Sequence, residues 1–169
     1  MRIIHLPTFW TVTLDIVAWF IIHMAVVIFM VRIRRDRFHP GGFLFRARLW
    51  ERGGRLYAKV FHIRRWKSIM PDGASWMNDR GFPKKELASR DMSYLNAFLL
   101  ETCRAELTHW VIILFAPFFF LWNKPFVGWI MIVYALGENL PLIMVQRFNR
   151  LRLTAICRSK RLKLWSRGK

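Results

Sequence analysis

Glu106 and His109 stand three residues apart in the run Glu101-Thr102-Cys103-Arg104-Ala105-Glu106-Leu107-Thr108-His109-Trp110. On a helix, side chains at that spacing can touch. A carboxylate there would orient the imidazole and raise its basicity, which suits a general base acting on a hydroxyl. Glu101, Arg104, Ala105 and Thr108 share one face at ~100° per residue, and His109 lies beside it. A simpler role stays open: Glu101 with Arg104 as a capping ion pair, and His109 as an interfacial residue. A metal site is disfavoured. Carboxylate-bridged metal bundles use two Glu-x-x-His motifs and two further Glu, and this chain holds one such motif.

A second polar group is Gly137-Glu138-Asn139-Leu140-Pro141. Pro141 removes a helix hydrogen bond and frees the Gly137 carbonyl. Asn139, Gln146, Asn149 and Arg150 fall in a narrow arc of one helix. They could line a groove for a substrate with a polar head, or serve interhelical hydrogen bonds. A third group is Trp66-Lys67 with Asp72-Gly73. Asp72 fits a second acid/base or a sugar ligand, and Pro71-Asp72-Gly73 also makes a turn. Asp15 and His23 are ionisable residues inside an apolar run, which makes them functional suspects.

These residues need elements to hold them, and composition says which. The chain has 169 residues, 54% of them hydrophobic, with a net charge of +18. Disorder is excluded, because it needs low hydrophobicity. A nucleic-acid binder and a membrane protein remain, and the placement of charge separates them. Trp10 to Val31 is an apolar run of 22 residues; at ~1.5 Å per residue it spans ~33 Å, enough for a bilayer core. Its length, and the positive charge that follows it, do not fit a signal peptide. Residues 107–122 and 126–145 form two further spans. The helical pattern before 107 extends the first of these, and Asn123-Lys124-Pro125 joins the two as an antiparallel hairpin.

Of the 28 Lys and Arg, 17 lie in 32–106, 9 in 146–169 and only Arg2 and Lys124 elsewhere. The positive-inside rule then places 32–106 and the basic tail 146–169 in the cytoplasm, and the N-terminus outside. No nucleic acid is expected as a partner, since the basic residues flank spans as anchors would. Phe43 to Met70 interleaves basic and aromatic residues. Trp50, Tyr57, Phe61 and Trp66 are expected at headgroup depth, on short amphipathic helices broken at Gly53-Gly54. The expected fold is therefore one all-α integral membrane domain over 1–169: three transmembrane helices plus cytoplasmic interfacial amphipathic helices. Cys103 and Cys157 are too few for a disulfide framework or a four-ligand zinc site and are expected as free thiols.

Several catalytic signatures are absent: a glycine-rich phosphate loop, a Gly-x-Ser-x-Gly elbow, a His-x4-Asp pair and a His-Glu-x-x-His zinc site. The blocks that are present resemble the glycosyl-4,4′-diaponeurosporenoate acyltransferases, small membrane proteins of carotenoid synthesis. The matching residues are Trp66-Lys67 with Asp72-Gly73, then Glu101-Thr102, Arg104-Ala105-Glu106-Leu107 and His109-Trp110. Tyr134-Ala135, Asn139 and Pro141 follow, then Gln146-Arg147, Asn149-Arg150 and Arg152-Leu153-Thr154. Phe148 stands where the family pattern has Tyr, and Glu138 where it has a small residue.

The resemblance implies transfer of a long-chain fatty acyl group to a sugar hydroxyl of a glycosylated carotenoid or related glycolipid. The catalytic candidates read from the residues are His109, Glu106, Glu101 and Asp72, with His109 deprotonating the hydroxyl and Glu106 or Glu101 orienting it. The candidate substrate-binding residues are Trp66, Lys67, Arg104, Asn139, Gln146, Arg147, Asn149 and Arg150, of which Asn139, Gln146 or Arg104 would stabilise the developing oxyanion. No cofactor is expected; acyl-CoA or another acyl donor is the co-substrate. Membrane lipids are expected partners at a cell (inner) membrane. Three spans are few to enclose a site, which points to a homo-oligomer or a partner enzyme. The rival reading is a non-catalytic lipid-binding or scaffolding membrane protein.

Overall fold

The computed structural model describes residues 3–69, 89 and 91–167. Most of those residues are helical, and there is no strand among them. Helix α1 runs Thr8–Arg32, α2 Arg55–Lys59, α3 Ile63–Trp66, α4 Met92–Phe115 and α5 Pro125–Arg167. Short 3-10 stretches lie at Arg35–Arg37, Leu49–Gly54 (kinked at Arg52-Gly53) and Ala116–Leu121. Three stretches, Thr8–Arg32, Met92–Leu121 and Pro125–Lys163, are long and apolar enough to cross a membrane. Contacts divide the chain into two compact units. One is Met1–Ile33 with Leu107–Ile143; the other is Arg34–Glu106 with Met144–Lys169.

In the first unit, α1 buries Asp15, Trp19, Val26 and Met30. Their spacing of four, seven and four residues keeps them on one stripe of a 3.6-residue helix. The stripe packs on Ile112, Ala116, Phe119 and Ala135. Trp19 stacks on Phe119 with ring centroids 4.5 Å apart, and its indole N–H donates to the Met131 sulfur at 3.3 Å. The opposite faces carry Ile16, Phe20 and Val133, each about two-thirds exposed (66%, 65% and 67%). In water such faces would form a large apolar patch; in hydrocarbon they lose nothing, because lipid tails are as apolar as they are.

Trp122, Asn123 and Lys124 join the two 107–143 segments. Asp15 anchors that turn: its Oδ1 accepts from the Trp122 indole N–H and from the Asn123 amide, both at 2.7 Å. Gly128 is required where the Phe120 ring lies; a Cβ there would stand 2.5 Å from that ring. Asp15→Ala would leave two donors without their acceptor, a cost of about 1–3 kcal/mol. The expected result is a lower melting temperature in detergent. An unchanged transition would show that the turn does not depend on this carboxylate.

In the second unit, Leu95, Phe98 and Leu99 of α4 pack on Leu153 and Cys157 of α5. Tyr57 and Ile63 pack on Phe148. Residues 146–169, expected as a tail beyond a span, continue α5 to Arg167. Arg, Leu and Lys dominate there, all good helix formers, and no Gly or Pro intervenes between Pro141 and Gly168. The break at Gly53-Gly54 is present: Gly53 and Gly54 have φ of 62° and 93°, a region costly for residues with a Cβ. Gly54 also lies against the Phe148 ring, which a Cβ would approach to 3.5 Å.

Tyr57 departs from its expected place at headgroup depth. It is buried (3% exposed) because its hydroxyl donates to the buried Glu51 carboxylate at 2.6 Å. Trp50 and Phe61, by contrast, are exposed. Cys103 and Cys157 are free thiols, both buried.

Candidate active site

The second unit holds a buried network of carboxylates and guanidiniums. Glu51 and Glu106 are fully buried. Arg147 donates from Nε to Glu51 at 2.7 Å and from Nη1 to Glu106 at 2.8 Å. It also donates to the backbone carbonyls of Leu44 and Arg46. Arg150 donates from Nη2 to the other Glu106 oxygen and from Nε to the Phe45 carbonyl at 3.0 Å. Glu51 further accepts the Arg48 backbone N–H at 2.6 Å. Two guanidiniums of α5 thus tie down segment 44–51, with two carboxylates balancing their charge. Burying such charges is tolerable only when they are paired and hydrogen-bonded.

Burial alone would raise the Glu51 carboxyl. Hydrogen bonds from Arg147, Tyr57 and the Arg48 N–H outweigh it and hold the carboxyl below its usual 4.5. Burial, with Glu51 facing it, pushes the Tyr57 hydroxyl up, so it remains a donor at neutral pH. A carboxyl lowered on folding adds stability above its unfolded pKa, and that stability is lost as pH falls through the folded value. Thermal stability is therefore expected to fall below about pH 4.5, and Glu51→Gln to flatten that limb of the profile. Melting curves across the acid range check this. Parallel acid limbs for parent and variant would rule Glu51 out as the cause.

Glu101 has separate partners in the same unit. Its carboxylate pairs with Arg104 at 2.8 Å, three residues on, and with Arg35 at 2.7 Å. The Glu101–Arg104 ion pair considered from sequence is thus present and buried, but it lies in the interior of α4 and caps neither end. Trp66 is half-buried, and its indole N–H donates to the Phe61 carbonyl at 2.7 Å. Lys67 lies 5.7 Å from the Phe148 ring centroid. Burial lowers its ammonium, with Arg152 and Arg64 adding to the effect. Gln146 and Asn149 are buried. Asp72, the remaining sequence candidate, lies outside the described residues.

The first unit holds His109. Its Nδ1 is 2.9 Å from Asn139 Oδ1, and the Asn139 amide donates through Nδ2 to the Ala135 carbonyl at 2.9 Å. That second bond orients the amide, since only its nitrogen can donate to a carbonyl. Asn139 therefore presents oxygen to the ring, so Nδ1 carries a proton and, in the neutral ring, Nε2 has the basic lone pair. In the same unit, His23 Nε2 is 3.6 Å from Glu138, and His23 Nδ1 is 2.8 Å from the Trp19 carbonyl.

The structure thus joins Glu106 with Arg147 and Arg150, and His109 with Asn139. Glu51 and Tyr57 were not foreseen. The one available signal is that Glu51 is the only acidic residue in the basic stretch 43–70. Among the described residues, no group of three His, Cys, Asp or Glu side chains is placed to hold a metal ion.

The family model for glycosyl-4,4′-diaponeurosporenoate acyltransferase matches residues 42–159, which include Glu51, Glu106, Arg147 and Arg150, the Glu101–Arg104 pair and the His109–Asn139 pair. A protein of that name from Staphylococcus aureus (strain N315) is 32% identical over 140 residues, covering 83% of this chain and 84% of its own. Another of that name, from Staphylococcus aureus (strain USA300), is 33% identical over 141 residues with the same coverage. No solved structure matches the chain. With a family model covering most of its length and relatives aligned along more than four-fifths of it, this chain belongs to the glycosyl-4,4′-diaponeurosporenoate acyltransferase family and is an acyltransferase.

Proposed function

We propose that this acyltransferase moves a long-chain fatty acyl group onto a sugar hydroxyl of a glycosylated carotenoid or related glycolipid, with His109 as general base. The observation that carries the role of His109 is its pairing with an oriented Asn139, which leaves the basic lone pair on Nε2. In the reaction, Nε2 takes the proton of the acceptor hydroxyl as that oxygen attacks the acyl carbonyl carbon. The tetrahedral intermediate collapses, the bond to the donor's leaving atom breaks, and the imidazolium returns its proton to that atom. Asn139 acts as a positioning residue, holding the ring and its tautomer. The buried Arg147 and Arg150 hold segment 44–51 and so shape the second unit.

Both substrates are amphiphiles that partition into a bilayer. The placement of basic residues supports a chain in the cell membrane with 32–106 and the C-terminal segment on the cytoplasmic side. The test is an assay of the purified protein in detergent, with a radiolabelled acyl donor and a glycosylated acceptor. A labelled ester that depends on both substrates is the expected result. Lipid binding without ester formation, across nucleotide-linked, carrier-protein and phospholipid donors, would overturn the proposal in favour of a non-catalytic lipid-binding role.

A further inference from the structure

A groove of about 450 Å³ opens in the second unit, between the start of α4 and the end of α5. Its volume lies within the ~300–1,000 Å³ usual for small-molecule sites. Leu99 and Leu162 give it apolar surface, and Asn96 and Thr154 give it neutral hydrogen-bonding groups. Arg158 and Arg161 are the charged residues that line it. Thr154, Arg158 and Arg161 are spaced four and three residues apart, so they stand in one row on α5. Both guanidiniums are exposed, and neither pairs with a described carboxylate. The network built on Glu51, Glu101 and Glu106 engages Arg35, Arg104, Arg147 and Arg150 and does not include this pair.

We infer that this groove binds the nucleotide end of a coenzyme A thioester, the acyl donor of the reaction proposed above, on which this inference rests. Two guanidiniums one helical turn apart suit a ligand with more than one phosphate, because each can bind phosphate oxygens bidentately. The apolar surface of Leu99 and Leu162 suits the face of an adenine ring. Asn96 and Thr154 offer donors and acceptors to its edge or to the ribose. The lining surface is mainly apolar, which suits the adenine face, and the two guanidiniums on it favour a phosphate-bearing ligand over a bare acyl tail. The phosphates are held here and the acyl thioester extends away on the pantetheine arm.

The experiment is equilibrium binding of adenosine 3′,5′-bisphosphate to the full chain in detergent micelles, read by calorimetry. This probe carries neither thiol nor acyl chain, so its binding is independent of turnover. The parent is expected to bind it, and the Arg158→Gln/Arg161→Gln double variant to bind at least tenfold more weakly. Arg37→Gln/Arg64→Gln removes two exposed charges elsewhere in the unit and is expected to bind like the parent. No binding by the parent, or equal loss in both double variants, overturns the inference. So does displacement of the probe by phosphatidylglycerol but not by coenzyme A. If the probe binds as expected but no donor gives ester, the acyltransfer reading fails and the nucleotide site stands. If ester forms from a donor without a nucleotide and R158Q/R161Q keeps full activity, the site fails and the acyltransfer reading stands.

Discussion

Replacing His109 with Ala lowers kcat/KM by about 10²–10⁴-fold, the usual contribution of a positioned acid–base group. At 1.36 kcal/mol per tenfold, this is about 3–5 kcal/mol of transition-state stabilisation. The size follows from the chemistry. A sugar hydroxyl is a weak nucleophile near neutral pH, and its proton must leave as the new bond forms. Asn139 accepts from Nδ1, so Nε2 is the atom able to take that proton. The fold should survive the change, because His109 is only half-buried and the first unit packs around Trp19, Phe119 and Ala135. A melting curve close to the parent's, with ester formation reduced a hundredfold or more, is the expected pair of results. A folded His109→Ala protein with near-normal turnover would remove His109 from the mechanism.

Asn139 gives a graded companion test. Asn139→Leu removes the acceptor for Nδ1, so both tautomers of the ring become populated. Groups that orient metal-binding imidazoles are worth about 10–100-fold, and a loss of that order is expected here, mainly in kcat. Asn139→Asp keeps an oxygen on Nδ1 and should retain more activity than Asn139→Leu. A merely structural Asn139 would instead lower stability and leave the kcat of the folded fraction unchanged.

The second large effect is on stability. Glu106→Leu leaves the Arg147 and Arg150 guanidiniums facing an apolar side chain. Glu106 is fully buried, and the side chains of Arg147 and Arg150 are 12% and 4% exposed. Removing one partner of such a group costs about 3–5 kcal/mol, because an uncompensated buried charge remains. Glu51 and three backbone carbonyls still hold the arginines, which favours the lower end of that range. Denaturant melts should show the loss, and limited proteolysis should show earlier cutting near 44–55. Pairing Glu106→Leu with Arg150→Met should recover part of it, since the second change removes a stranded charge. A Glu106→Leu protein within 1 kcal/mol of the parent would mean that Glu51 alone neutralises the pair.

The two units ask for different assays. The His109 substitution acts on turnover with little change in melting, and the Glu106 substitution acts on melting first. This separates a reacting group from a framework that holds a segment in place, although both residues come from one ten-residue run of sequence.

That run shows what the amino-acid order settles unaided. Apolar length and the tight Asn123-Lys124-Pro125 connection were enough for three long apolar helices, because each is a local property. The cost of ionisable groups inside an apolar run singled out Asp15 and His23, and helical spacing singled out Glu101, Glu106, His109 and Asn139. The Gly53-Gly54 break was legible because left-handed backbone favours glycine. Partner choice was decided in three dimensions. Spacing put Glu106 and His109 within reach of one another, yet Glu106 takes Arg147 and Arg150, 41 and 44 residues away. His109 takes Asn139, 30 residues away, and Glu51 takes Arg147 across 96. Periodicity states which residues share a helix face. Which faces meet depends on the rotation and register of whole helices, set by packing such as Trp19 on Phe119 and Phe148 on Tyr57, and no local pattern encodes that.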